Sequence, residues 1–111
     1  MGFDVADSGE RIVHLSGMLK DASSEDKPRF TLLDLPFLTR FATHMTKGAK
    51  KYGPNNWRLG TEQAALDGFK DSAYRHLVAW LEGQGDEDHA AAVCANIMMA
   101  EGIKENVLGG E

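Results

Sequence analysis

The chain has 111 residues and a formal net charge of -5. Its length favours one domain over residues 1–111, and its 42% hydrophobic and 26% charged residues are typical of a soluble globular protein. The acidic balance argues against binding of nucleic acid, which depends on positive charge facing phosphates. It leaves small anionic ligands open, because one local basic patch is sufficient to bind them.

No membrane or secretory segment is indicated. The longest apolar run, residues 90–100, is too short to span a bilayer. The first residues lack the basic-then-apolar layout of a signal peptide. The single cysteine, Cys94, can form neither an internal disulfide nor a cysteine zinc cluster. These features favour a cytoplasmic protein, located in the host cell if it is of phage origin, that does not bind a membrane.

The N-terminal quarter gives the weakest structural pattern. Residues 1–9 are polar, residues 10–19 are ambiguous although their apolar positions fit a short helix, and residues 21–28 resemble a linker. We expect residues 1–26 to form a loosely ordered segment ahead of a helical core over residues 27–106. No stretch shows the alternation or the clusters of β-branched residues that are typical of strands.

Three main helices are expected in the core, so the predicted fold class is all-α. The first, over about 35–51, has Asp34 as its cap. The second covers about 61–82, and the third, over about 87–106, follows Asp86 as a possible cap. The expected apolar faces are Leu66, Phe69, Ala73, Leu77 and Trp80 on the second helix, and Ala90, Val93, Ile97 and Ala100 on the third.

Positive charge is concentrated around the segment GAKKYGPNNWRLG, residues 48–60. Residues 35–61 hold five Lys or Arg and no Asp or Glu, which leaves seven basic against 17 acidic residues elsewhere. Tyr52 and Trp57 are suited to stacking on a nucleotide base, and the two asparagines before Trp57 to bonding its edge. The alternative is a helix end with lysines that complement its dipole, followed by a Gly-Pro loop held by a buried tryptophan.

A second polar group lies in DSAYRHLVAWLEG, residues 71–83. Here Arg75 is a candidate phosphate clamp, and His76 a candidate ligand or acid–base group beside the apolar stripe. The alternative is a surface ion pair between Asp71 and Arg75 next to a structural histidine.

Acidic and imidazole side chains meet at the start of the third helix: Asp86, Glu87, Asp88 and His89. Carboxylates with one imidazole can hold Mg²⁺ or Mn²⁺, which neutralises phosphate during hydrolysis. His89 and Asn96 are two helical turns apart and share a face. The alternative is simple capping of the helix by acids.

Three segments together resemble a known family: KPRFTLL (27–33), GAKKYGPNNWRLG (48–60) and YRHLVAWLEGQGDEDHAAAVCANIMMAE (74–101). They are similar to the small phage proteins of the dATP/dGTP diphosphohydrolase, N-terminal family. Its members show a Lys-Pro-Arg-Phe start, a Gly-Ala-x-Lys-Tyr-Gly loop with Asn-Trp, an Arg-His-Leu helix and a His-x-x-His-x-x-x-Asn helix. The resemblance implies a nucleotide-handling protein that removes pyrophosphate, as the all-α MazG-type enzymes do.

The resemblance and the basic patch together define the candidate site. The expected nucleotide-binding residues are Lys47, Lys50, Lys51, Tyr52, Asn56, Trp57, Arg58, Arg75, His76, His89 and Asn96. The expected metal-binding residues are Asp86 and Asp88, with Mg²⁺ or Mn²⁺ as the cofactor if the protein is an enzyme. No catalytic residue is assigned.

The chain departs from the family pattern in three respects, one of which is a longer spacing between loop and helix through residues 61–72. The second histidine of His-x-x-His falls at Ala92, so that pairing is lost. The Glu-Glu-x-x-Glu cluster of MazG-type enzymes is missing, and the nearest acidic sets are Asp67 with Asp71, and residues 86–88.

Three functional hypotheses follow. The first is an enzyme that hydrolyses a purine deoxynucleoside triphosphate to the monophosphate and pyrophosphate. The second is a non-catalytic, oligomeric sponge that sequesters a cyclic nucleotide or an ADP-ribose derivative of host immune signalling, as an anti-defence protein. The third is an interaction protein without a small ligand. In each case we expect a homo-oligomer, a dimer or larger, because apolar residues near the C-terminal end leave surface to cover.

Overall fold

The computed structural model describes residues 11–13, 15–21 and 26–109. The chain divides into two compact units, residues 1–33 and 34–111. The expected loose order of residues 1–10 and 22–25 lies outside the described residues. Within the described residues no helix combines the length and the apolar character needed to cross a membrane.

The first unit contains a small β-hairpin. Strand β1 (Arg11–Val13) pairs antiparallel with β2 (Leu19–Asp21), with Ile12 opposite Lys20. Gly17 lies in the turn with a φ of 83°, a conformation that glycine adopts without a steric cost. The expectation that the chain has no strand was therefore wrong for this segment, and the short helix considered there does not form. Local chain reversal at Gly17 prevails over the helical spacing of the apolar residues.

Helix α1 (Leu35–Tyr52) confirms the first expected helix. The carboxylate of Asp34 accepts a hydrogen bond from the backbone N–H of Phe37 at 3.0 Å, which satisfies a free donor of the first turn. At the other end, Gly53 has a φ of 93° and its N–H donates to the carbonyl of Ala49 at 2.8 Å. The helix ends there because few other residues adopt this backbone conformation.

Helices α2 (Gln63–Leu81) and α3 (His89–Gly109) confirm the other two expected helices, with shifted ends. The third starts later than predicted, because Asp88 and not Asp86 acts as its cap. Oδ1 of Asp88 accepts the N–H of Ala91 at 3.1 Å. The all-α fold class is thus confirmed for the second unit.

The core of the second unit lies between α2 and α3. It consists of Leu66, Ala100, Ile103 and Val107, against which Trp57, Ala65 and Phe69 pack. Ile103 is fully buried, and burial of such a side chain stabilises the fold by roughly 1.5–3 kcal/mol.

The buried face of α3 agrees with the predicted one at Ala100 but otherwise differs from it. Ala91, Ala92 and Ala95 are buried, whereas Ile97 is 52% exposed. Because residues 90–100 are apolar nearly all round the helix, the spacing alone did not distinguish its faces. On α2, the predicted core residues Leu77 and Trp80 are likewise exposed.

Candidate functional site

A groove of about 780 Å³ lies between α1, the following loop, α2 and α3. Its aromatic lining consists of Tyr52, Trp57 and Phe69, and its polar lining of His44, Thr46, Asn55, Asn56, Ser72, His76 and Asn96. Among the described residues that line it there is no Asp, Glu, Lys or Arg. The groove is therefore suited to a flat, partly polar ligand whose charged groups lie at its rim.

The loop that follows α1 turns back on itself to reach the groove. Asn55 has a φ of 59°, in the left-handed region that asparagine tolerates better than most residues. It precedes the 3₁₀ turn Asn56–Leu59, which carries Trp57. The side-chain oxygen of Asn55 accepts a hydrogen bond from Nε of Arg58 at 3.4 Å, which helps to hold the turn.

The two aromatic residues of the loop have different environments. Trp57 is half-buried, packs against the core, and carries the Arg58 guanidinium 4.4 Å from its ring centre. Tyr52 is 63% exposed and has the Lys51 ammonium 5.2 Å from its ring centre. Trp57 thus has a structural role in addition to lining the groove, whereas Tyr52 is available to a ligand.

A row of three side chains extends from the groove wall to the start of α3. Nδ1 of His76 lies 2.8 Å from Nδ1 of His89. Nε2 of His89 lies 2.7 Å from Oδ1 of Asp86. His89 is only 5% exposed, and each of its two ring nitrogens contacts a protein group. The hydrogen bond from His89 is the main cause that lowers the pKa of Asp86.

One arrangement of protons satisfies both contacts when His76 and His89 are neutral and Asp86 is ionised. An ionised carboxylate only accepts, so Nε2 of His89 carries a proton. A neutral His89 then presents a lone pair at Nδ1, to which Nδ1–H of His76 donates. Nε2 of His76 has no hydrogen-bond partner among the described residues. In this part of the chain every fully buried side-chain nitrogen or oxygen has a hydrogen-bond partner. Nε2 of His76 is therefore not fully buried and is accessible to solvent.

Arg40 and Asp88 connect α1 to the start of α3. Nε and Nη2 of Arg40 each donate to a different carboxylate oxygen of Asp88 at 2.8 Å. This bidentate pair, followed by the N–H of Ala91, lowers the pKa of Asp88 to about 2. It also raises the pKa of Arg40. The pair fixes one end of the α1 wall of the groove.

Two further polar side chains, His44 and Asn96, line the groove. Burial, followed by the charge of His76, lowers the pKa of His44, which favours its neutral form. Asn96 is 6% exposed, and its amide nitrogen donates to the carbonyl of Ala92 at 2.8 Å. Its amide oxygen has no hydrogen-bond partner among the described residues. Because every fully buried side-chain nitrogen or oxygen in this part of the chain has a partner, this oxygen is not fully buried and is open to the groove.

The structure brings part of the predicted site together. Five of the predicted nucleotide-binding residues line the groove: Tyr52, Asn56, Trp57, His76 and Asn96. His89 lies one hydrogen bond behind His76. The predicted basic residues do not line the groove: Lys47, Lys50, Lys51, Arg58 and Arg75. All five are exposed.

The predicted metal-binding carboxylates have different partners. Asp86 contacts His89, while both oxygens of Asp88 contact Arg40, so a cation held by the two acids would compete with both. Their assignment as metal ligands stays a prediction. The ion pair expected between Asp71 and Arg75 is not formed in the described part of the chain.

Some groove residues that were not predicted carry a signal in the sequence. His44 carries a signal that we missed, because it lies eight residues before Tyr52 on the same face of α1. Ser72 and Phe69 share a face of α2 with His76 at helical spacing, which is a second usable signal.

The fold defines a small helical domain with a groove lined by aromatic and amide side chains. Over residues 19–107 the sequence matches the family model described as dATP/dGTP diphosphohydrolase, N-terminal. The chain belongs to this family, as its motifs predicted. No curated protein and no solved structure gives a significant match.

Proposed function

We propose that this protein binds a purine deoxynucleoside triphosphate in the groove. The observation that carries the proposal is the combination of exposed aromatic and amide side chains in one groove of about 780 Å³. This volume lies within the roughly 300–1,000 Å³ that is usual for small-molecule sites. The description of the family, which names dATP and dGTP, supplies the ligand class.

The base would lie against Tyr52. Its ring is exposed at the groove, and stacking of a base on an aromatic side chain contributes roughly 1–3 kcal/mol. The open amide oxygen of Asn96 can accept from an N–H of the base edge, and Asn56 can both donate and accept.

The phosphates would extend toward the C-terminal end of α1. Lys47, Lys50 and Lys51 alternate along this helix with residues that line the groove, and Lys51 adjoins Tyr52. Lysine binds phosphate as a point charge and tolerates different phosphate positions. This arrangement explains how an acidic protein can bind a polyanion.

Cleavage is the enzymatic form of the proposal, supported by the name of the family. A water oxygen would attack the α-phosphorus, and the bond from this phosphorus to the α–β bridging oxygen would break. The products would be the nucleoside monophosphate and pyrophosphate. Mg²⁺ or Mn²⁺ bound by the phosphates would neutralise the charge that develops.

Sequestration without cleavage is the second candidate. It is favoured by the lack of any carboxylate among the described residues that line the groove, because metal-dependent hydrolysis of phosphates depends on such groups. In this form, the ligand is a cyclic nucleotide or an ADP-ribose derivative that the protein removes from host immune signalling.

The proposal is tested by incubating the purified protein with dATP, dGTP, dCTP, cyclic nucleotides and ADP-ribose, each with Mg²⁺ or with EDTA. Equilibrium dialysis measures depletion of the ligand, and chromatography after heat denaturation identifies what is released. We expect a purine nucleotide to be depleted in preference to dCTP.

Magnesium-dependent monophosphate and pyrophosphate would establish cleavage. Release of the intact ligand, also in EDTA, would establish sequestration. Absence of depletion for every nucleotide would contradict the proposal and favour an interaction protein without a small ligand.

A further inference from the structure

We propose that His76, Glu87 and His89 form a binding site for a divalent transition-metal ion of the Zn²⁺ class. One nitrogen of each histidine and one carboxylate oxygen of Glu87 all lie within 4.8 Å of one another. The site differs from the pair of aspartates predicted for Mg²⁺, and it does not depend on nucleotide binding.

The two histidines have the geometry of a pre-formed pair. Their Nδ1 atoms lie 2.8 Å apart and their ring planes are tilted by 41°. In a tetrahedral zinc site with Zn–N bonds of about 2.0–2.1 Å, two ligand nitrogens lie about 3.3 Å apart. An opening of about 0.5 Å therefore converts the hydrogen bond into two metal–nitrogen bonds.

Asp86 supplies the support that a metal-binding histidine requires. Its carboxylate accepts the Nε2–H of His89 at 2.7 Å, which leaves the lone pair at Nδ1 and directs it toward His76. Metal-ligating histidines commonly donate their other ring N–H to a carboxylate in this way, because the bond fixes the tautomer and the ring orientation.

The protons balance without an acid or a base from outside. Without the ion, Nδ1–H of His76 donates to Nδ1 of His89. When the ion binds, this proton leaves Nδ1 of His76 and a proton is taken up at its accessible Nε2. A neutral His76 holds one proton before and after this exchange, so the exchange itself releases no net proton.

The donor set favours a borderline metal over Mg²⁺. Two imidazole nitrogens and one carboxylate suit Zn²⁺, Co²⁺ or Ni²⁺, whereas Mg²⁺ requires oxygen ligands in octahedral geometry. Three protein ligands also leave a fourth position open. Because His76 lines the groove, the ion would lie at the groove wall.

The test is a titration of chelator-treated protein with Co²⁺, followed by the visible absorption of tetrahedral Co²⁺, and then by displacement with Zn²⁺. We expect one ion per chain, unaffected by a large excess of Mg²⁺. His76→Gln and His89→Gln should each weaken binding at least as much as loss of a supporting group does, about 10–100-fold. Glu87→Gln should weaken it, whereas its matched control Glu82→Gln, at the exposed end of α2, should not.

Absence of Co²⁺ binding to the wild-type chain would overturn the proposal, as would equal binding by the double variant His76→Gln/His89→Gln. Circular dichroism would establish that each variant retains its helices. For variants that do not fold, X-ray absorption of the Zn²⁺-loaded wild-type protein provides the same decision, since two imidazole ligands are expected and their absence would contradict the site.

Discussion

The indole of Trp57 occupies the space where a side chain at position 102 would lie. A Cβ atom on Gly102 would be 2.5 Å from Cζ3 and 2.7 Å from Cη2 of Trp57. Gly102 lies inside α3, where glycine is otherwise unfavourable, so its role is to let the indole approach the helix backbone. This contact holds the loop that forms one wall of the groove.

Gly102→Ala should therefore displace the indole. Alanine gains about 1 kcal/mol of helix propensity, but overpacking costs about 1–3 kcal/mol, so we expect a net loss of stability. In a Trp80→Phe background, Trp57 is the only tryptophan, and its fluorescence should shift toward that of an exposed ring. The matched control is Gly68→Ala in α2, where a Cβ meets nothing within 4 Å and stability should rise. Equal behaviour of the two variants would contradict the packing role of Gly102.

Tyr52→Ala should weaken nucleotide binding about 10-fold, since one stacked base contributes roughly 1–3 kcal/mol. Tyr74→Ala is the matched control, because Tyr74 is similarly exposed, at 70%, but does not line the groove. Both affinities are measured by equilibrium dialysis with the preferred nucleotide. A larger loss for Tyr74 than for Tyr52 would place the base elsewhere.

The double variant Lys50→Ala/Lys51→Ala should lower affinity for a triphosphate more than affinity for the corresponding nucleoside. A hydrogen bond to a charged group contributes about 1.5–3 kcal/mol, so a loss of at least about 10-fold is expected. Lys70→Ala, an exposed lysine of α2 that does not line the groove, is the control. An equal loss for nucleoside and triphosphate would show that the lysines do not contact the phosphates.

The Arg40–Asp88 pair should make stability depend on pH at the acidic end. The pKa of Asp88 falls from 3.8 to about 2 in the folded chain, so its contribution is present above pH 3.8 and is lost as the pH falls through about 2. Because the Asp88 side chain is 34% exposed, screening keeps the effect modest. Thermal unfolding between pH 2 and 5 should show a smaller decline in Arg40→Gln than in the control Arg75→Gln. Identical pH profiles would exclude this contribution.

A second copy of the chain is expected to cover an exposed apolar stripe on α2. Its residues follow helical spacing and stay exposed: Tyr74, Leu77, Val78 and Leu81. Light scattering coupled to size exclusion should give a dimer or larger assembly. Leu81→Glu should reduce the mass, whereas Arg75→Glu, an exposed position on another face of the same helix, should not. A monomeric wild-type protein would contradict this prediction.

The parts of the fold that depend on neighbouring residues were predictable from the sequence. Asp34 was recognised as the start of α1, because a cap acts within one helical turn. The choice between Asp86 and Asp88 as the cap of α3 was not predictable, because each carboxylate is oriented by a residue elsewhere in the fold. Asp86 is held by His89, and Asp88 by Arg40.

The site was predictable in its residue types but not in its pairings. His76 and His89 were each selected from the sequence, yet they lie on different helices, and only the packing of α2 on α3 brings their rings together. Arg40 and Asp88 are 48 positions apart, so no helical spacing relates them. The role of Gly102 was not predictable, because the indole that requires it comes from a distant loop.

Helix α1 has no buried residue along its 18 positions, although it supplies one wall of the groove. It contacts α3 through side chains that are at most half-buried, together with the ion pair to Asp88 at one end and the loop at the other. Regions with few buried apolar contacts open at a lower free energy than the rest of a domain. We therefore expect the backbone amides of α1 to exchange with deuterium faster than those of α2 and α3. A ligand that bridges α1 to the other helices would slow this exchange. The exchange rate of the α1 amides would therefore measure ligand binding.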